Sequence, residues 1–123
     1  ELVTFYFQKK LSQLSTIKKN IAKERIHGEI KEKSIMSNKL TTILNKTKYY
    51  NRKIDFLNVD VEGADLEALK SLDFEIYRPK LICVEITDNK IENSEIFLFL
   101  NNLNYTKKWS ATCSHIFTDN YYY

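Results

Sequence analysis

Residues 54–61, Ile-Asp-Phe-Leu-Asn-Val-Asp-Val, constrain the fold more than any other stretch of the chain. The run is nearly continuous apolar material, the pattern of a strand buried on both faces by flanking helices, and it predicts a central, parallel strand. It ends at Glu62-Gly63, after which Ala64 to Leu72 predicts a helix with Leu66, Leu69 and Leu72 on one face. Asp65 and Glu67 fall in its first turn and Lys70 later, as the helix dipole favours. Arg78-Pro79 then stiffens an extended lead into Lys80 to Ile86, a second apolar strand. A strand, helix, strand unit of this length is a right-handed crossover, so the chain reads as α/β.

The flanks are consistent with that class. Leu2 to Phe7 is β-branched and aromatic and predicts a short strand. Residues 8–32 place Leu11, Leu14, Ile17 and Ile21 at a loose three-to-four spacing, which fits one basic helix or a partly ordered excursion. Ser34 to Ser37 fits a brief strand, and Leu40, Ile43, Leu44 and Thr47 mark a short amphipathic helix. Asn93 or Ser94 is placed to cap a helix running through Asn102, with Ile96, Phe97, Leu100 and Leu103 inward. Tyr105 to Trp109 and His115 to Thr118 predict an antiparallel hairpin joined by Ser110 to Ser114. No internal repeat appears, and the Tyr121-Tyr122-Tyr123 ending carries no reading.

With 123 residues, the chain has room for one domain or part of one. Apolar residues at 43% supply a core, which excludes wholesale disorder. Two glycines and one proline exclude collagen-like and linker-like chains and count against a Gly-rich nucleotide loop. No apolar stretch is long enough to span a membrane, and Glu1 to Phe7 lacks the features of a signal peptide, so neither a span nor export is expected. Position 1 is Glu rather than Met, as in a processed chain or a piece of a longer one. Cys83 and Cys113 show no disulfide or zinc spacing, and His27 and His115 are isolated. A reduced, cytoplasmic protein with structural cysteines is the expectation.

The net charge of +3 is the sum of unlike halves. Residues 1–53 carry 13 Lys or Arg against 4 Asp or Glu, and residues 54–123 carry 6 against 12. Lys interleaved with Leu and Ile is first the solvated side of amphipathic structure, and by itself it does not call for a nucleic-acid partner.

Chemistry concentrates at Asp60-Val61-Glu62-Gly63, where a buried strand turns into a helix. In open α/β sheets ligands sit at the carboxyl ends of strands. Period-two alternation points Asp60 and Glu62 to one side, so two carboxylates can converge to take a proton from a hydroxyl or bind a cation. Gly63 lets the backbone pass close to a ligand or adopt a positive φ. The competing reading is structural: Glu62 or Asp60 caps the helix while Gly63 makes the turn.

The run IDFLNVDVEGADLEALKSLDFEIYRPKLICVEI, Ile54 to Ile86, resembles the hallmark segment of the FkbM family of S-adenosylmethionine-dependent methyltransferases. FYFQKKLSQLST, KLTTIL, and the closing FLFLNNLNYTKKW with HIFTDN resemble further segments of that family, so the likeness covers nearly the whole chain. The resemblance implies the C-terminal part of a Rossmann-like class I methyltransferase sheet. Ile54 to Val61 would be its fourth strand, Lys80 to Ile86 its fifth, and the terminal hairpin its last two. It further implies methyl transfer from S-adenosylmethionine to a hydroxyl on a sugar or secondary metabolite. The first strand, its Gly-rich loop and the acidic end of the second strand are absent from the sequence. One side of Ile54 to Val61 would then be unpaired, and the cofactor-binding glycines cannot be assigned, Gly63 being the one candidate. Asp60 is the first candidate for orienting or deprotonating the acceptor or for holding a divalent cation, Glu62 the second, and Glu85 a weaker third. Trp109 and the tyrosines are candidates for lining a sugar site, although packing explains most of them.

Two other readings stay open on the sequence: a basic binding module using residues 1–53, whose binding would be strongly salt-dependent, and an inactive relic of the same fold.

Overall fold

A computed structural model describes residues 1–9 and 12–122. Leu11 of the loose apolar spacing and Tyr123 of the tyrosine ending lie outside the described residues. The elements run β1 (Leu2–Phe7), α1 (Lys19–Arg25), β2 (Lys31–Met36), α2 (Leu40–Asn45), β3 (Phe56–Val59), α3 (Asp65–Lys70), β4 (Leu81–Glu85), α4 (Glu95–Asn102), β5 (Tyr105–Ala111) and β6 (Ser114–Asp119). A single 3-10 turn at Ile91–Asn93 precedes α4. Of the two candidate caps there, Ser94 acts, its side chain accepting from the Ile96 N–H at 3.2 Å.

The strands form two separate sheets. β1 and β2 make an antiparallel ribbon in which Leu2 faces Met36 and Phe7 faces Lys31. The other sheet has the order β3-β4-β6-β5, with β3 and β4 parallel and the remaining pairs antiparallel. The expected parallel pair is therefore present, with Phe56 opposite Leu81 and Val59 opposite Val84, and α3 lies in the connection between them. The terminal hairpin is longer than its sequence pattern: both strands extend into the Ser110 to Ser114 segment, and β5 carries a bulge between Lys107 and Trp109.

Two features of the central run differ from expectation. β3 lies at the edge of its sheet, not at the centre, because among the described residues no strand pairs with its outer side. It is also buried on one face only. Leu57 and Val59 turn into the core, while Phe56 is 53% exposed and Asn58 is exposed, so the strand alternates as a half-covered strand does.

The core gathers Val59, Ile82, Val84 and Phe117 of the sheet with Leu69, Leu72 and Leu100 from the α3 and α4 region. Leu40 and Leu44 of α2 pack on its margin, where Ser71 binds α2 by accepting from the Leu40 N–H and, through its carbonyl, from the Thr41 N–H and hydroxyl. The turn before β4 is anchored to the end of β6. Arg78 makes a bidentate pair with Asp119, with both N···O distances 2.8 Å, and its guanidinium lies 4.9 Å from the Tyr105 ring and 4.5 Å from that of Tyr121. Burial raises the Tyr105 phenol above its usual range, although the nearby Arg78 pulls the other way.

Candidate functional site

The turn after β3 is built on two consecutive residues with positive φ, Glu62 at 50° and Gly63 at 94°. For a glutamate this left-handed conformation is costly and has to be held from outside. It is held from two sides. From α3, Asp65 reaches back so that its two carboxylate oxygens accept the Val61 N–H at 3.3 Å and the Gly63 N–H at 3.1 Å. From the segment before β2, the Thr16 hydroxyl donates to the Glu62 carbonyl at 2.7 Å, and Arg25 of α1 forms an ion pair with the Glu62 carboxylate. Lys18 forms a further ion pair with Glu67 of α3.

No side chain caps α3, whose N-cap position is Ala64, so the helix-capping alternative is not borne out. Neither Asp60 nor Glu62 caps α3; Asp65, read from the sequence only as a partner of the dipole, takes both turn amides. Its signal is faint in sequence, because an acid in a first helical turn is ordinary whether or not it folds back on the preceding turn. The period-two argument for Asp60 and Glu62 also fails locally. The strand ends at Val59 and Glu62 is left-handed, so alternation does not carry through to it. Glu62 is directed to Arg25, whereas among the described residues the exposed Asp60 carboxylate makes no hydrogen bond or ion pair.

Asp60 and Glu62 nonetheless line one cleft of about 1490 Å³ between the β1–β2 ribbon and α3. Its wall is more apolar than polar: Val3, Phe5, Ile17 and Ile35 share it with the hydroxyls of Ser15, Thr42 and Ser71 and with Lys18, Lys39 and Asn38. Negative charge gathers around Glu62. Burial, offset in part by Arg25, raises the Glu62 carboxyl above its ordinary value, and Asp60, Glu85 and Asp65 add repulsion. Burial likewise raises Asp65, against the pull of its two backbone hydrogen bonds, and the Glu85 carboxylate raises the Cys113 thiol. Glu85 ends β4 and acts on this group through its charge, without lining the cleft. Trp109 is 53% exposed on β5, at the opposite edge of the sheet from β3, and takes no part in the cleft.

Gly63, the candidate for backbone contact with a ligand, makes its close approach to the chain itself: a methyl group added there would lie 2.0 Å from Ile21 Cδ1. Among the described residues no group of three or more His, Cys, Asp and Glu side chains is arranged to hold a metal ion, and no helix is long and apolar enough to cross a membrane.

No curated protein and no solved structure matches the chain. A family model does, the methyltransferase FkbM domain, over residues 1–107, which takes in the ribbon, the cleft, the Asp60 to Gly63 turn and the parallel pair. With most of its length matched, and with the residues of the hallmark run forming the strand, turn and helix that border the cleft, this chain belongs to the FkbM methyltransferase domain family.

Proposed function

We propose that this chain forms the acceptor side of an S-adenosylmethionine-dependent O-methyltransferase with a Rossmann-like sheet, acting on a hydroxyl of a sugar or secondary metabolite. The observation that carries the reading is the Asp60 carboxylate, without a hydrogen-bond or ion-pair partner among the described residues, at the carboxyl end of β3, opening on a cleft whose apolar and aromatic surface is set with hydroxyl, amide and ammonium groups. Such a lining suits a polyhydroxylated acceptor, which exchanges hydrogen bonds with water for hydrogen bonds with the wall.

The described residues do not fit the adenosyl part of the donor. A cofactor loop needs glycines whose open side faces the ligand. Here the open side of Gly28 meets the Gln8 side chain at 2.9 Å, and that of Gly63 meets Ile21. No step is therefore assigned to these residues on the donor side. When bound, S-adenosylmethionine supplies an electrophilic methyl group on a good leaving group. What remains for the protein is to orient the acceptor oxygen and take its proton. Asp60 does both, accepting the hydroxyl proton at a carboxylate oxygen. Glu62, paired with Arg25, shapes the turn and adds negative charge beside Asp60. A divalent cation resting on Asp60 would serve the same end by acidifying the hydroxyl.

The test is transfer of labelled methyl from S-adenosylmethionine to a panel of sugar and polyol acceptors by the enzyme expressed from its complete reading frame. Label on an acceptor oxygen supports the reading; label on nitrogen or carbon, or none on any acceptor, overturns it. Loss of binding to nucleic acid or acidic surfaces with salt, in the absence of any transfer, would instead favour the basic binding module.

A further inference from the structure

Resting on that reading, we infer that Thr16 is a positioning residue for methyl transfer: its hydroxyl fixes the left-handed Glu62–Gly63 pair and so sets where the Asp60 carboxylate stands in the cleft. Thr16 is 2% exposed and its hydroxyl both donates and accepts. It donates to the Glu62 carbonyl at 2.7 Å and accepts the Lys18 N–H at 3.0 Å. Its own backbone is not free to follow the turn, because Thr16 and Tyr6 exchange both main-chain hydrogen bonds, at 2.8 and 3.0 Å. The ribbon strand β1 is thus coupled through one side chain to a carbonyl two residues beyond Asp60. Arg25 grips the side chain of the same Glu62 and Ile21 covers Gly63, but both contacts reach flexible side-chain ends. Asp65 holds the backbone of the turn from α3, at the Val61 and Gly63 amides, and the Thr16 bond holds it from the ribbon side, at the Glu62 carbonyl. The Thr16 bond also joins the two walls of the cleft, since Phe5 and Thr16 lie on one side and Asp60 and Glu62 on the other.

Valine keeps the shape of Thr16 and removes only the hydroxyl, leaving the Glu62 carbonyl and the Lys18 amide without this partner. A displacement of the reacting groups by about an ångström costs on the order of a hundredfold in rate. The expected result for Thr16→Val in the complete enzyme is a fall in kcat of about tenfold or more, with the acceptor KM within about twofold, because positioning rather than binding is lost. Thr16→Ser should recover at least half of the native kcat. Hydrogen exchange at the Val61 and Gly63 amides should quicken in Thr16→Val and not in Thr16→Ser, whatever the activity. Native kcat in folded Thr16→Val, equal losses in the Val and Ser variants, or unchanged exchange at the turn would each overturn the assignment. Native enzyme that folds but transfers no methyl group would instead overturn the functional reading, and the role of Thr16 with it.

Discussion

Ile21 of α1 occupies the space that any side chain on Gly63 would need, its Cδ1 2.0 Å from where the first added carbon would stand. Two penalties therefore meet in Gly63→Ala, and they differ in how they are relieved. The end of an isoleucine side chain can rotate away at small cost, whereas φ at 94° lies in a region that L-residues rarely adopt. The backbone term should dominate, at about 1–2 kcal/mol. Urea unfolding of Gly63→Ala is expected to show that loss, with Ile21→Ala added on top failing to restore it. Full recovery in the double variant would mean the clash, not the conformation, was the cost.

Arg78 and Asp119 test a different kind of dependence. Asp119 is fully buried and its two oxygens face the Arg78 fork. Removing the cation leaves a buried carboxylate uncompensated, which costs about 3–5 kcal/mol, whereas the pair itself is worth far less. Arg78→Met should be strongly destabilised, and Arg78→Met with Asp119→Leu should regain a large part of the loss. Lysine should not substitute well either, since it lacks the bidentate fork and the flat face that rests against Tyr105 and Tyr121. Thermal unfolding of the three variants checks the order.

The elements that sequence patterning captured are those in which one local rule decided the outcome. Leu2–Phe7 is a strand over the residues its aromatic and β-branched run marks, Ser94 caps where a serine precedes an apolar run, and the Arg78-Pro79 lead delivers the parallel strand β4. The misses arose where distant residues decided. The left-handed Glu62 is held by nearby Asp65 but also by Thr16 and Arg25, 46 and 37 positions away, so a window around the turn contains only part of the cause. The edge position of β3 depends on which strands are available to pair, and its alternating burial on where α3 packs. The residue types of the candidate site were thus legible, but its scaffold was not.

The pH dependence of stability should carry the mark of Asp65. Burial raises its carboxyl above 3.8, the value taken for the unfolded chain, despite two backbone donors. A carboxyl whose folded pKa is the higher one is penalised as the anion in the fold. That penalty is absent below the unfolded value, grows as pH rises from about 4, and is complete once pH has passed the folded value. Asp65→Asn removes the titration while keeping, like the protonated acid, one good acceptor oxygen, so any stability it lacks relative to the native protein should be greatest near pH 3.5. The gap should narrow as pH rises through the carboxylate range. Unfolding free energies of both proteins across that range measure it; a gap that widens with pH would show that the anion is favoured in the fold.

Asp60 is the residue on which the functional reading turns, and the structure separates its two possible roles better than spacing alone. The turn amides are already taken by Asp65, so Asp60 has no capping duty to lose. An exposed carboxylate without a hydrogen-bond partner among the described residues contributes little to stability, and Asp60→Asn should unfold within about 0.5 kcal/mol of the native protein. The substitution keeps the shape and the ability to accept a hydrogen bond from the acceptor, and it removes the capacity to take a proton. Loss of a general base costs on the order of a hundredfold or more in rate. The complete enzyme carrying Asp60→Asn is therefore expected to bind acceptor with nearly unchanged KM and to turn over at about a hundredth of the native rate or less. Glu62→Gln should do less damage, because its carboxylate is engaged by Arg25. Steady-state kinetics of the two variants, alongside their unfolding curves, decide the matter: native turnover in Asp60→Asn would leave this carboxylate with no catalytic part, and a larger loss in Glu62→Gln would transfer the role to its neighbour.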